Sequence, residues 1–209
     1  MPRRRPIIRS RRRRPVAWRA CAALLAASLG FAALGARAHN PCPRAFTAPA
    51  LARLRPAALA SLAGSGCVSA QVYLGLDYIY GRDVRRDPVR AVSWLRRAAS
   101  SGDIYAQYTV ADMYAGGQGV ERSWSKAAYW YRRAAGHGSA YAQGRLGALY
   151  AQGRGVARDR VTALMWLDLA GPSQPRAVRR LKSLKARATS RQWRRAKARA
   201  RAWRRRHGG

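Results

Sequence analysis

The chain says nearly the same thing three times. "YIYGRDV" at 78–84, "YAGGQGV" at 114–120 and "YAQGRGV" at 150–156 are copies of one phrase with a period of 36 residues. Shifting the sequence on itself by that period aligns Ala70, Ala106 and Ala142, each followed by Gln (71, 107, 143). Leu74, Val110 and Leu146 align, as do the small residues Gly75, Ala111 and Gly147, and Tyr78, Tyr114 and Tyr150. Further on, Ala91, Ala127 and Ala163 align, then Trp94, Trp130 and Trp166, then Ala98, Ala134 and Ala170. A period of this length marks an array of stacked units. One such unit cannot bury its own apolar face, so neighbouring copies must cover it.

Each unit reads as two helices. The first carries apolar or small residues at 70, 74, 75 and 78, which is helical spacing, and stops at a glycine (81, 117 or 153) suited to a left-handed C-cap. The second opens on an N-cap residue, Asp87, Ser123 or Asp159, with Pro88 at the first helical position of unit one. Its stripe Ala91, Trp94, Leu95, Ala98 follows i, i+3, i+4, i+7. The regular place of Trp94, Trp130 and Trp166 in that stripe predicts core residues, not ligand stackers. The expected fold is an all-α solenoid of α/α units.

These residues resemble the Sel1-like repeat family, relatives of the tetratricopeptide repeats. "AQGRLGALYAQGRGV" (142–156) and "KAAYWYRRAAGHG" (126–138) carry the resemblance, which covers about 67–171. Three departures stand out: Asp83 for a loop glycine in unit one, Ala111 for glycine in unit two, and an early end of unit three at Gly171-Pro172. The resemblance implies a protein-binding scaffold with a concave surface lined by the first helix of each unit. Positions there that vary between units are the specificity candidates: Tyr73, Tyr108, Asp112 and Arg145. The expected occupant is a peptide or a single helix of a partner protein.

The flanks differ from the middle. Residues 1–38 hold ten Arg and no acid, then the apolar run 20–35 and Ala36-Arg37-Ala38, a small-x-small cleavage site. This reads as a signal peptide cut before His39, sending the chain to the periplasm or outside the cell, with an uncleaved inner-membrane anchor as the alternative. Removal of Cys21 would leave Cys42 and Cys67 as an even pair, expected to form a disulfide, with two unpaired thiols as the alternative. "RPAALASLAGSG" (55–66) aligns with the second helix of unit one and is expected to cap the N-terminal end. The layout is therefore a leader over 1–38, an N-terminal segment over 39–66, repeats over 67–102, 103–138 and 139–174, and a basic capping helix or tail over 175–209.

That tail opens with a capping box, Thr189 to Gln192, and aligns Trp193, Ala196, Ala200 and Trp203 on one face. It suits a cap on unit three. Its cations also allow contact through 176–209 with anionic lipid or polymer. Nucleic acid is not the expected physiological target in the periplasm. The formal charge of +34 rests on 38 Arg and 4 Lys, and such Arg and Ala bias can reflect genome composition as much as function.

Signals for chemistry are sparse. Ser123-Trp124-Ser125-Lys126 matches S-x-x-K of penicillin-recognising enzymes, but no S-D-N or K-T-G follows. A β-lactamase-like or cell-wall enzyme is thus a minor alternative. His39, His137 and His207 show no metal-ligand spacing, and the glycine loops lack a P-loop lysine. Neither metal nor cofactor is expected.

Overall fold

A computed structural model describes Cys42, residues 48–51 and residues 53–207. The leader expected over 1–38 and its cleavage point lie outside these residues. Ten helices make up the regular structure of the described residues. A short α1 (Ala48–Leu51) and α2 (Pro56–Gly64) precede three pairs: α3 (Val68–Tyr80) with α4 (Pro88–Ser100), α5 (Ile104–Gly116) with α6 (Trp124–Gly136), and α7 (Ala140–Gln152) with α8 (Arg160–Ala170). Two more follow, α9 (Pro175–Ala186) and α10 (Ser190–His207). The tail over 175–209, read from sequence as one capping helix, is thus two helices. Among the described residues, no helix is long and apolar enough to cross a membrane.

Local chemistry explains the boundaries. The second helices start where Asp87 Oδ1 accepts from the Val89 and Arg90 amides, Ser123 Oγ from Lys126, and Asp159 Oδ1 from Val161 and Thr162. The first helices start at Cys67, Asp103 and Ser139, whose side chains accept from Ala70, Ala106 and Ala142. Cys67 therefore caps α3 while bonded in a disulfide to Cys42, with Cα atoms 4.7 Å apart. The first helix of every unit ends on a left-handed glycine: 81, 117 or 153.

Burial joins the units. Leu74, Val110 and Leu146 and the repeating alanines are fully buried. Each glutamine of the repeat bridges to the preceding second-type helix. Gln71, Gln107 and Gln143 donate through Nε2 to the carbonyls of Ala63, Ala99 and Ala135 at 3.1–3.2 Å. Those carbonyls lie at helix C-termini, where backbone acceptors lack intrahelical donors. The Ala-Gln pair of the repeat is thus an inter-unit bond. Because Gln71 bonds Ala63 of α2, the N-terminal helix stands where a second helix of a preceding unit would.

Two of the departures have steric causes. A Cβ on Gly75 would lie 2.6 Å from Leu95 Cγ, and one on Gly147 would lie 2.8 Å from Leu167 Cγ. In unit two the partner position holds Tyr131, whose side chain does not branch at Cγ into two methyls, and Ala111 is accommodated fully buried. Asp83 sits at φ 54, a conformation that aspartate tolerates. Its counterparts Gly119 and Gly155 are packed against the preceding unit: an added Cβ would meet Pro88 O at 2.1 Å and Trp124 O at 2.2 Å. Unit one follows only the capping helices, so Asp83 is not held to glycine by a preceding unit of that form.

The tryptophans are not equivalent. Trp130 and Trp166 are 9% exposed, but Trp94 is half-buried at the edge of the N-terminal cluster, with the Arg97 guanidinium 4.6 Å over its ring. The expectation of a core Trp94 is corrected to this extent: α1 and α2 cover it less completely than a full unit covers Trp130.

At the C-terminal end, α10 lays Ala196 and Ala200 against α8 and sets Trp203 edge-on to Trp166 at 6.2 Å. Lys197 and Arg204 both pair with Asp168, and Thr189 and Gln192 exchange capping-box hydrogen bonds. Helix α9 packs on both α7 and α8 through buried Ala177. Arg160 Nη1 donates to Arg187 O at 2.8 Å, tying the α9–α10 connection to the start of α8.

Candidate functional site

The first helices α3, α5 and α7 present one face not consumed by pairing with α4, α6 and α8. Tyr73, Tyr108, Asp112 and Arg145 all lie on it and are all partly exposed. The structure joins three of them and sets the fourth apart.

Asp112 is the hub. Its carboxylate accepts from the Tyr131 hydroxyl and from Tyr141 Oη at 2.9 and 3.1 Å. Arg145 Nη2 lies 3.3 Å from Asp112 Oδ1, and Arg145 Nε donates to Tyr131 Oη at 3.0 Å. One residue of α5, one of α6 and two of α7 thereby lock unit two to unit three. Asp112 and Arg145 spend much of their bonding capacity inside the protein. Burial first, and then the Asp112 carboxylate, hold the Tyr131 hydroxyl well above the usual tyrosine range. The same causes in the same order push Tyr141 up to about 12. Burial pulls the Arg145 guanidinium down, but Tyr131, Tyr141 and Asp112 outweigh it and leave it above its ordinary value.

Tyr131 and Tyr141 escape a purely sequence-based selection of site residues. A signal for Tyr131 exists: it stands where the other units carry Leu95 and Leu167. A buried hydroxyl at a leucine position requires a polar partner, and Asp112, standing where the other units carry Leu76 and Ala148, supplies it.

Aromatic rings continue along the face. Tyr105 and Tyr108 are 5.0 Å apart between ring centroids, and Tyr108 and Tyr141 are 5.1 Å apart. Burial first, then the neighbouring Tyr105, raise Tyr108 to about 12. Beyond Tyr105, a cavity of about 360 Å³ is lined by Ser69, Val72, Tyr73, Leu76, Asp103 and Tyr105. Tyr73 belongs there, in a mainly apolar setting. Beyond Tyr141, a cavity of about 540 Å³ opens between α7 and α9. Gly144 makes that junction: a Cβ there would lie 3.1 Å from Ala177 Cβ. Helix α9, missed in the sequence, closes this end of the face.

The S-x-x-K segment is occupied structurally. Ser123 Oγ caps α6 and lies 3.1 Å from Ser125 Oγ, while Lys126 Nζ sits over the Tyr114 ring at 5.5 Å. No hydrogen bond joins Lys126 Nζ to the Ser123 hydroxyl, the contact a serine nucleophile requires. Among the described residues, no group of three or more His, Cys, Asp or Glu is placed to hold a metal ion.

The apolar face of α10 is also committed. Trp203 packs on Trp166, and Trp193 lies beneath Lys185 and Lys197 at 4.7 and 5.5 Å. The tail offers a charged surface and no free aromatic wedge.

Stacked helix pairs, a glutamine bond between units and a tyrosine-lined face define an α/α repeat solenoid. The Sel1 repeat model matches residues 68–103, 104–139 and 140–171, and the chain belongs to the Sel1 repeat family. A Sel1 repeat protein from Oxalobacter formigenes is similar at 40% identity over 62% of this chain and 99% of its own, with a TM-score of 0.56. A protective antigen present in uropathogenic Escherichia coli strains, displaying an SLR fold, is similar at 30% identity with a TM-score of 0.65. That likeness covers 71% of this chain and 32% of the antigen, so this chain spans about a third of that protein's length. No curated protein sequence gives a significant match. Sel1 repeats generally mediate contacts between proteins, and the fold is typically a non-enzymatic scaffold.

Proposed function

We propose that this protein is an interaction scaffold that works in the periplasm after export and binds a segment of a partner protein along the α3, α5 and α7 face. The row Tyr105–Tyr108–Tyr141 carries the reading. Three rings in successive contact on one side of a repeat array form an amphipathic strip, and tyrosine is a preferred anchor at protein interfaces. Tyr105 remains 40% exposed and open to a partner. The basic and then apolar sequence over 1–38, read as a leader, supports export, and the Cys42–Cys67 bond suits an oxidising compartment.

The test is photocrosslinking in the native cell. A crosslinking residue at Tyr73 or Tyr105 should trap a discrete protein, while one at Tyr129, half exposed on α6, should not. Equal capture from both sides would overturn the assignment of the face. Export is checked separately by the amino terminus of the chain from the cell, expected at His39.

A second reading rests on α10. Arg191, Arg194, Arg195, Arg201, Arg205 and Arg206 stand exposed there without an ion pair to any described residue. Attachment to anionic lipid or cell-wall polymer through this side would be electrostatic, and about 1 M salt should reverse it as the screening length falls to about 3 Å. Binding to phosphatidylglycerol vesicles that survives such salt would contradict it.

A further inference from the structure

Resting on the reading of the α3, α5 and α7 face as the working surface, we infer that the segment it accepts is polarised, with an apolar side chain at one end and acidic side chains at the other. The acidic end sits in the cavity between α7 and α9. Arg145, Arg176, Arg179 and Arg180 line that cavity together with Tyr141 and Ser183, and no carboxylate lines it.

In a chain this rich in arginine, a basic surface alone means little. The discriminating observation is that unpaired arginines gather around one concavity. On α10, the cations that face α8 each have a carboxylate neighbour: Lys197 and Arg204 share Asp168, and Arg199 approaches Asp159 at 3.9 Å. In the cavity, the side chains of Arg176, Arg179 and Arg180 have no ion pair or hydrogen bond to any described residue. Arg145 has one carboxylate neighbour, Asp112, already shared with two tyrosine hydroxyls. Several guanidinium groups around one concavity lower the cost of bringing in a carboxylate, and planar arginine is suited to bidentate carboxylate recognition.

The other end has the opposite character. Val72, Tyr73, Leu76 and Tyr105 line the smaller cavity, which suits an aliphatic or aromatic side chain. The tyrosine row connects the two, because Tyr105 lines one cavity and Tyr141 the other. Two ring-to-ring steps of 5.0 and 5.1 Å separate them, the reach of about three extended residues at roughly 3.3 Å each. A peptide fits this arrangement better than a uniform polyanion, which would leave the apolar end unused. The spacing calls for the apolar anchor three to five residues from the first acid.

The experiment uses the full chain and synthetic fluorescent peptides. The probe carries a leucine four residues from a run of three glutamates; its controls replace the glutamates with glutamine, the leucine with serine, or reverse the order. Binding is read by anisotropy at several salt concentrations. Loss of the glutamates or of the leucine should each weaken binding by about tenfold or more. The combined variant Arg176→Ser, Arg179→Ser and Arg180→Ser should do the same, whereas Arg191→Ser, Arg194→Ser and Arg195→Ser, removing equal charge from α10 outside the cavity, should change little. Equal losses from the two charge variants would overturn the cavity assignment, as would inorganic tripolyphosphate binding there as tightly as the probe. Tyr105→Ser separates this inference from the reading beneath it. Binding that needs Tyr105 but ignores the glutamates leaves the face standing and overturns the acidic end. Binding that ignores Tyr105 overturns the face itself.

Discussion

The Tyr131 hydroxyl of α6 donates to the Asp112 carboxylate of α5 in the middle repeat, where a leucine stands in the repeats on either side. Tyr131 is buried, and its oxygen also accepts from Arg145 of the next repeat. Removing Asp112 leaves the buried hydroxyl without its acceptor, which costs about 1–3 kcal/mol. Tyr131→Phe should cost about 1 kcal/mol. A double-mutant cycle by urea denaturation should give a coupling of at least about 0.5 kcal/mol. The exposed part of the Asp112–Arg145 pair should add only a few tenths to 1 kcal/mol. Additive losses would mean that the hydrogen bond contributes nothing.

Glycines in this protein predict opposite outcomes from one chemical change. Gly147→Ala places a Cβ 2.8 Å from Leu167 Cγ and should destabilise by about 1–3 kcal/mol. Gly64→Ala meets nothing within 4 Å at the end of α2 and should stabilise by about 0.4–1 kcal/mol through the unfolded chain. Thermal melts of the two variants should move in opposite directions, and movement in the same direction would refute the packing argument.

Alkaline titration should separate the tyrosines. Of ten, Tyr108 and Tyr141 are raised to about 12 and Tyr131 lies higher. A folded-state value above the unfolded value of 10 stabilises the fold fully below pH 10, and that contribution is lost as the pH rises through about 12. Absorbance near 295 nm should therefore keep rising as the pH passes about 12, and that late rise should coincide with loss of helical circular dichroism. Completion of the absorbance rise well before pH 12 with the fold intact would contradict the buried network.

The disulfide ties Cys42 to the start of α3, 25 residues away. Reduction should cost about 3 kcal/mol by releasing that loop in the unfolded chain. Protection of amides in α2 and α3 against hydrogen exchange should fall with it, while α7 and α8 keep theirs. Uniform loss of protection across the repeats would show that the array unfolds as one cooperative block.

The sequence alone carried the repeat, the two helices of each unit and the caps at Asp87, Ser123 and Asp159. Helical periodicity and capping act within a few residues, so they are written locally. Trp130 and Trp166 could be assigned to the core because their neighbours are repeats with the same spacing. Trp94 could not be placed so well, since its cover comes from the N-terminal segment, outside the period. Tyr73, Tyr108, Asp112 and Arg145 were identifiable as variable positions on one face. Their division of labour was decided by tertiary structure alone. Asp112 and Arg145 meet only when unit three stacks on unit two, and the buried tyrosine at a leucine position gives them a shared hydroxyl. Likewise, the cavity exists because Gly144 lets α9 approach α7, a contact between positions 33 residues apart that no local pattern encodes.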